Sequence, residues 1–184
     1  MKRLSFIFLG MLGLSLTACG SSNERQVNPY GERSLQSARM ADPKIVSGAR
    51  RVQCVPYARR LSGLTLRGDA WTWWPGAKGR YQRSSTPSVG SVIVLDRSDR
   101  LRHGHIAVVT KVVNSREILV EHANWLNKGR VHKDQPVLDV SKRNDWSAVR
   151  VWYTPGNQMG ARTYPVAGFV SSGRGGFRAA SLDY

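Results

Sequence analysis

Two cysteines are all that this 184-residue chain carries, and their places leave no intramolecular disulfide to staple its fold. Cys19 ends an apolar N-terminal run, Leu4 to Leu16 followed by Thr17 and Ala18. Cys54 then stands alone as the only thiol of the chain beyond that run. What surrounds Cys54 is therefore the first question the sequence poses.

The N-terminal run sets the compartment. Lys2 and Arg3 form a short positive region ahead of the apolar stretch, the order of a signal peptide. The stretch is too short for a stable membrane span, which needs about 20 apolar residues. Leu16-Thr17-Ala18-Cys19 resembles a bacterial lipoprotein cleavage site. That resemblance implies cleavage before Cys19, lipidation of its sulfur and attachment to a membrane. Gly20, rather than Asp, follows it, which implies the outer membrane facing the periplasm. That compartment oxidises thiols, so an unpaired Cys54 is a liability unless it has work to do.

Charge bounds the partners. The formal charge is +16, and removing Lys2 and Arg3 leaves +14. Such a field draws polyanions. For an exported, anchored protein these are peptidoglycan carboxylates or anionic lipid head groups before they are nucleic acid. The charges are spread along the chain, as on a solvated basic surface. No internal repeat and no metal-spaced Cys/His cluster is visible, and neither cofactor nor metal is expected. A monomer is the expected state.

Residues 1–18 read as the signal peptide and 19–44 as a lipid-anchored tether, polar and broken by Pro29, Gly31 and Pro43. The folded domain is expected over 45–154. Cys54, Ala58 and Leu61 recur at helical spacing, Pro56 suits a first turn, and Gly63 marks a stop. Cys54 thus falls at a helix N-terminus. Asp69 to Trp74 reads as a second short helix ending at Pro75. Strands are expected at Ser91–Leu95, His105–Val113, Ile118–Asn124 and Val149–Tyr153. Helices first and strands later predict an α+β domain, with N-terminal helices packed on an antiparallel sheet. Residues 155–184, rich in Gly, Ser and Arg, are expected to be disordered. Within them Gly173-Arg174-Gly175-Gly176-Phe177 is a single Arg-Gly-Gly-like copy, better read as solvated tail than as an RNA site.

A helix N-terminus and an imidazole neighbour each lower a thiol pKa. The chain has four histidines. His105 opens a strand, rigid enough to aim and exposed enough to titrate, with Gly104 leaving room beside it. His103 reads as a loop residue, and His132 follows an Asn-Lys-Gly turn. A catalytic imidazole also needs a group that holds its tautomer. Period two along Ile118–Trp125 puts Val120, His122 and Asn124 on one face, and Leu119, Glu121 and Ala123 on the other. Only one of these faces can look at His105.

Gln53-Cys54-Val55-Pro56-Tyr57-Ala58, then Gly104-His105-Ile106-Ala107-Val108-Val109, then Glu121 to Trp125 resemble the CHAP domain. The Pro87–Leu95 segment resembles that family's strand before the histidine, and the resemblance spans roughly Ile45 to Thr154. It implies a papain-like fold and cysteine, histidine-dependent amidohydrolase or peptidase chemistry. The nucleophile falls on Cys54 and the base on His105. The family's usual glutamate, two residues before an asparagine, is His122 here. His122 with Asn124 in support is therefore the expected orienter, with Glu121 as the alternative. The Cys54 backbone N–H, and Gln53 through its side chain, are the expected oxyanion donors. Trp73, Trp74 and Trp125 are candidates for a substrate groove, although tryptophans are more often core.

The function expected from this resemblance is hydrolysis of an amide in peptidoglycan, as amidase or endopeptidase. Two alternatives stand beside it. One is the same chemistry on another amide. The other is a basic lipoprotein that binds peptidoglycan, lipopolysaccharide or DNA without turnover.

Overall fold

The computed structural model describes residues 41–46, 51–125 and 128–173. The expected signal peptide, the Cys19 lipidation site, the tether up to residue 40 and the Arg-Gly-Gly run beyond Gly173 lie outside the described residues.

After a short strand β1 (Lys44–Val46), helix α1 spans Cys54–Ser62. Gly63 ends it with φ 70°, its N–H bonded to the Arg59 carbonyl. Left-handed backbone at that point is the usual glycine stop. A 3₁₀ turn (Ala70–Thr72) runs into α2 (Trp73–Gly76), and β2 (Gln82–Ser84) follows. The remaining elements are β3 (Val92–Leu95), β4 (His105–Asn114), β5 (Glu117–Ala123), β6 (Val131–Asp139), β7 (Ala148–Tyr153), β8 (Gln158–Met159) and β9 (Tyr164–Ser171).

Six of these strands close a ring in the order β6-β5-β4-β3-β9-β7, with β7 pairing back onto β6 and every pairing antiparallel. The result is a mostly β closed barrel with extra strands and two short helices, not the expected α+β arrangement of helices on a sheet. The correction traces to two strands absent from the sequence reading. β9 joins β3 to β7, and β6 joins β5 to β7. β9 also lies inside the segment expected to be disordered, so the fold continues past residue 154.

Two apolar layers explain the continuous hydrophobic runs of β3 and β4. Ile93, Leu95, Ala107, Val109, Ile118, Val120, Val149 and Phe169 fill the barrel. Val92, Val94, Ile106 and Val108 face outward, under Tyr57, Ala58 and Leu61 of α1 and under Trp73. Strands covered on both faces lose the apolar–polar alternation of half-exposed ones. Each such Val, Leu or Ile contributes roughly 1.5–3 kcal/mol on burial.

Because β9 supplies Phe169 and Val170 to the two layers, ending the chain at Thr154 should leave a β-sheet with two open edges. We expect no cooperative thermal unfolding and no near-ultraviolet circular dichroism from that truncation. A native-like melting transition would contradict closure through β9.

Candidate active site

α1 begins at Cys54, with Gln53 in extended conformation ahead of it (φ −82°, ψ 156°). Pro56 fits the first turn, where the missing N–H has no helical acceptor to lose. The half-buried thiol thus sits at the positive end of the helix. The backbone N–H groups of Ile106, Val55 and Cys54 itself act on the sulfur and pull its pKa down. Burial outweighs them and holds the thiol above its ordinary value of 9.0.

His105 is the first residue of β4, and the turn before it is tightly built. Gly104 has φ 66°, and a Cβ there would lie 2.7 Å from the Leu95 carbonyl oxygen and 2.8 Å from the Trp71 nitrogen. The room beside His105 is filled by the 3₁₀ turn, whose Trp71 N–H donates to the His103 carbonyl at 3.3 Å. Cys54 and His105 line one cleft of about 480 Å³, together with Gln53, Asp69, His103, Asn124 and Trp125.

Strand parity chooses between the two faces of β5. Val109 and Val120 pair and point into the barrel, and His105 and His122 share their parity. His105 Nε2 lies 3.0 Å from His122 Nδ1, both side chains buried. Glu121 is on the opposite face, where its Oε2 accepts a hydrogen bond from Tyr57 of α1 at 2.8 Å. Asn124 does not join the imidazole pair. Its Nδ2 donates to Gln53 Oε1 at 2.7 Å.

A third histidine, absent from the expected site, completes the cluster. His132 is the cross-strand partner of His122, and the two rings meet edge to face at 5.2 Å. It is 2% exposed rather than a surface residue. The signal for it lay in β6, which the polar Lys133-Asp134-Gln135 and Pro136 disguised. Trp125 covers the group, stacked on His122 at 5.6 Å and tilted over His105 at 4.8 Å.

Burial disfavours imidazolium and pushes His105 down to about 3, with the charge of His132 adding to the effect. Burial also lowers His122 well below its ordinary range, with further contributions from His105 and His132. His132 is lowered by burial as well.

The expected tryptophan groove is only partly present. Trp125 lines the cleft, but Trp73 is 0% exposed and belongs to the core. Trp74 packs against the same core, with the Arg83 guanidinium 4.8 Å above its ring. Neither lines the cleft. The exposed His103 pairs with Asp69 at 3.0 Å. Among the described residues no cluster of three or more His, Cys, Asp or Glu is arranged to hold a metal ion.

A thiol at a helix start and a buried imidazole, gathered in one cleft at the rim of a β-barrel, define a cysteine–histidine site. Residues 45–124 match the CHAP domain model. No curated protein matches the sequence. Among solved structures, the chain is similar to an N-acetylmuramoyl-L-alanine amidase from Staphylococcus aureus. The identity is 22% and the TM-score 0.43, over 68% of this chain and 34% of that one, so this chain spans about a third of the amidase. It is also similar to Ly7917, at 13% identity and a TM-score of 0.31, over 77% of this chain and 94% of that one.

The neutral histidines bear on stability. Their folded pKa values lie below the unfolded value of 6.5, so the unfolded state binds more protons as the pH falls beneath it. Their contribution is present above pH 6.5 and lost progressively toward about pH 3. The melting temperature should fall over that window, and less steeply in His122→Asn. Equal slopes for the two proteins would contradict a buried neutral His122.

Proposed function

We propose that this protein hydrolyses an amide bond in peptidoglycan, with Cys54 as nucleophile, His105 as base and His122 as the residue that orients it. The observation that carries the reading is the shared cleft in which Cys54 opens α1 while His105 Nε2 is taken by His122 Nδ1. The match to the CHAP domain supports it. With Nε2 so engaged, Nδ1 of His105 is the ring nitrogen left for the thiol proton.

The resting pair is neutral, since burial raises the thiol and lowers the imidazole. Proton transfer from Sγ to His105 then accompanies attack on the carbonyl carbon rather than preceding it. The oxyanion lies near the Cys54 backbone N–H and the Gln53 side chain. Asn124 occupies Gln53 Oε1 and turns Nε2, the donor, to the remaining side. His105 next passes its proton to the leaving amine. The resulting thioester is hydrolysed by a water that His105 deprotonates, which frees the acid and restores the thiol. His122 accepts from Nε2–H throughout and carries no formal charge, unlike a carboxylate in that position. The lipid anchor at Cys19 would hold this chemistry at the outer membrane, facing its substrate in the periplasm.

Digestion of purified sacculi, with released fragments read by mass spectrometry, tests the assignment. Cys54→Ala should abolish fragment release while keeping the fold. His122→Ala should lower turnover about 100-fold, the scale of general-base catalysis. Glu121→Gln should cost about 1 kcal/mol of stability through the Tyr57 bond and leave turnover in place. Fragments from the Cys54→Ala protein would sink the nucleophile. A wild-type protein that sediments with sacculi and cuts nothing would favour binding without turnover.

Alkylation reports on the resting pair. The rate of iodoacetamide modification of Cys54 should keep rising past pH 9.0, because burial raises the thiol above that value. A plateau near neutral pH would show a preformed thiolate–imidazolium pair instead.

A further inference from the structure

A second cleft, of about 520 Å³, opens on the far side of Trp125. Trp125 lines both clefts and so forms the wall between them. Tyr164 meets the Trp125 ring edge to face at 5.1 Å and lines the second cleft. Two cations flank this seam. Arg100 lines the first cleft and Arg162 the second, and the charges of both act on the Tyr164 hydroxyl. Both arginines are exposed, and neither belongs to an ion pair among the described residues.

Carboxylates are scarce around them. Among the described residues Asp69 is the only acidic one lining either cleft, and it is held by His103 at 3.0 Å. The second cleft is walled by Trp152, buried to 1% exposure, and by Tyr153, 41% exposed. A guanidinium beside such an apolar wall is screened less than one in open water and offers a planar fork to a carboxylate. The Tyr153 ring gives an aliphatic stem a surface to lie on. The two volumes together suit an extended substrate better than a single amide.

We infer that the second cleft is an extension of the substrate site, in which Arg162, with Arg100 across the seam, receives a carboxylate of the acidic peptide whose amide is presented to Cys54. The inference rests on the hydrolase reading for the amide, and on the two clefts themselves for the acidic arm. A stem peptide bearing free carboxylates is the matching ligand class. The same peptide with its carboxylates amidated is the poor ligand.

The test uses full-length Cys54→Ala protein and two synthetic stem peptides, one with free and one with amidated carboxylates, in a calorimetric titration. The free acid should bind about tenfold more tightly, the scale of one charged hydrogen bond. Arg162→Gln should remove that preference, and Arg162→Lys should keep part of it. With Cys54 intact, Arg162→Gln should raise KM for the acidic peptide about tenfold and leave kcat within about twofold. An unchanged acid-to-amide ratio in Arg162→Gln would overturn the inference. So would tighter binding of a neutral glycan chain that is indifferent to Arg162, which would make the cleft a sugar site. The two readings fail separately. Arg162-dependent binding of the acid without any turnover by the wild type would remove the hydrolase and keep the acidic cleft. Turnover indifferent to Arg162 would do the reverse.

Discussion

Everything at the site depends on the antiparallel pairing of β9 with β3 on one side and with β7 on the other. Without it β3 to β7 would form an open antiparallel sheet with β3 and β7 as its edges. Closure gives the barrel an inside, and the inside makes the parity of β4 and β5 matter. One face of each strand must enter the barrel core and the other must meet α1. A one-residue slip would exchange the faces and lose both layers at once. His105 and His122 therefore hold their places through the packing of Ala107, Val109, Ile118 and Val120 along the same faces.

The cysteine arrives from the other layer. α1 lies outside the barrel, and its first residue reaches the rim where β4 begins. The Ile106 N–H acting on the sulfur marks the meeting of helix start and strand start. Burial there has an electrostatic consequence. His122 offers His105 a hydrogen-bond partner without a negative charge, so it does not offset the desolvation of an imidazolium. The pair rests neutral.

Much of this was legible in the residues. α1 with its Gly63 stop and the β3–β5 strands follow from spacing and period, whereas period two left both faces of β5 open and the preference for His122 over Glu121 came from the CHAP resemblance. What escaped has one recurring cause. β6 and β9 each carry an irregularity that reverses their alternation. In β6 the register shifts between Val120 and His122 of its partner, so His132 and Val137 both face inward although their parity differs. In β9 the shift falls at Gly168, and Val166 and Phe169 both face inward. A bulge of this kind erases the period-two pattern by which a strand is recognised. Pro136 deepened the disguise. It sits where β6 passes from β1 to β7 on one side, so the missing N–H costs no pairing there. With both strands unread, the ring looked like an open sheet, and its last stave looked like a tail.

The sequence by itself marked the candidate residues: a lone thiol at a helix start, a histidine at a strand start, and a second imidazole on the following strand. These are properties of short segments, and short-range spacing carries them. The closed barrel decided what those residues meet. It placed Trp73 in the core and Trp125 over the imidazoles, brought His132 behind His122, turned Asn124 toward Gln53, and set Arg100 and Arg162 across one seam. Those neighbours come from strands far apart in the chain, and the ring that joins them exists only once β6 and β9 have paired.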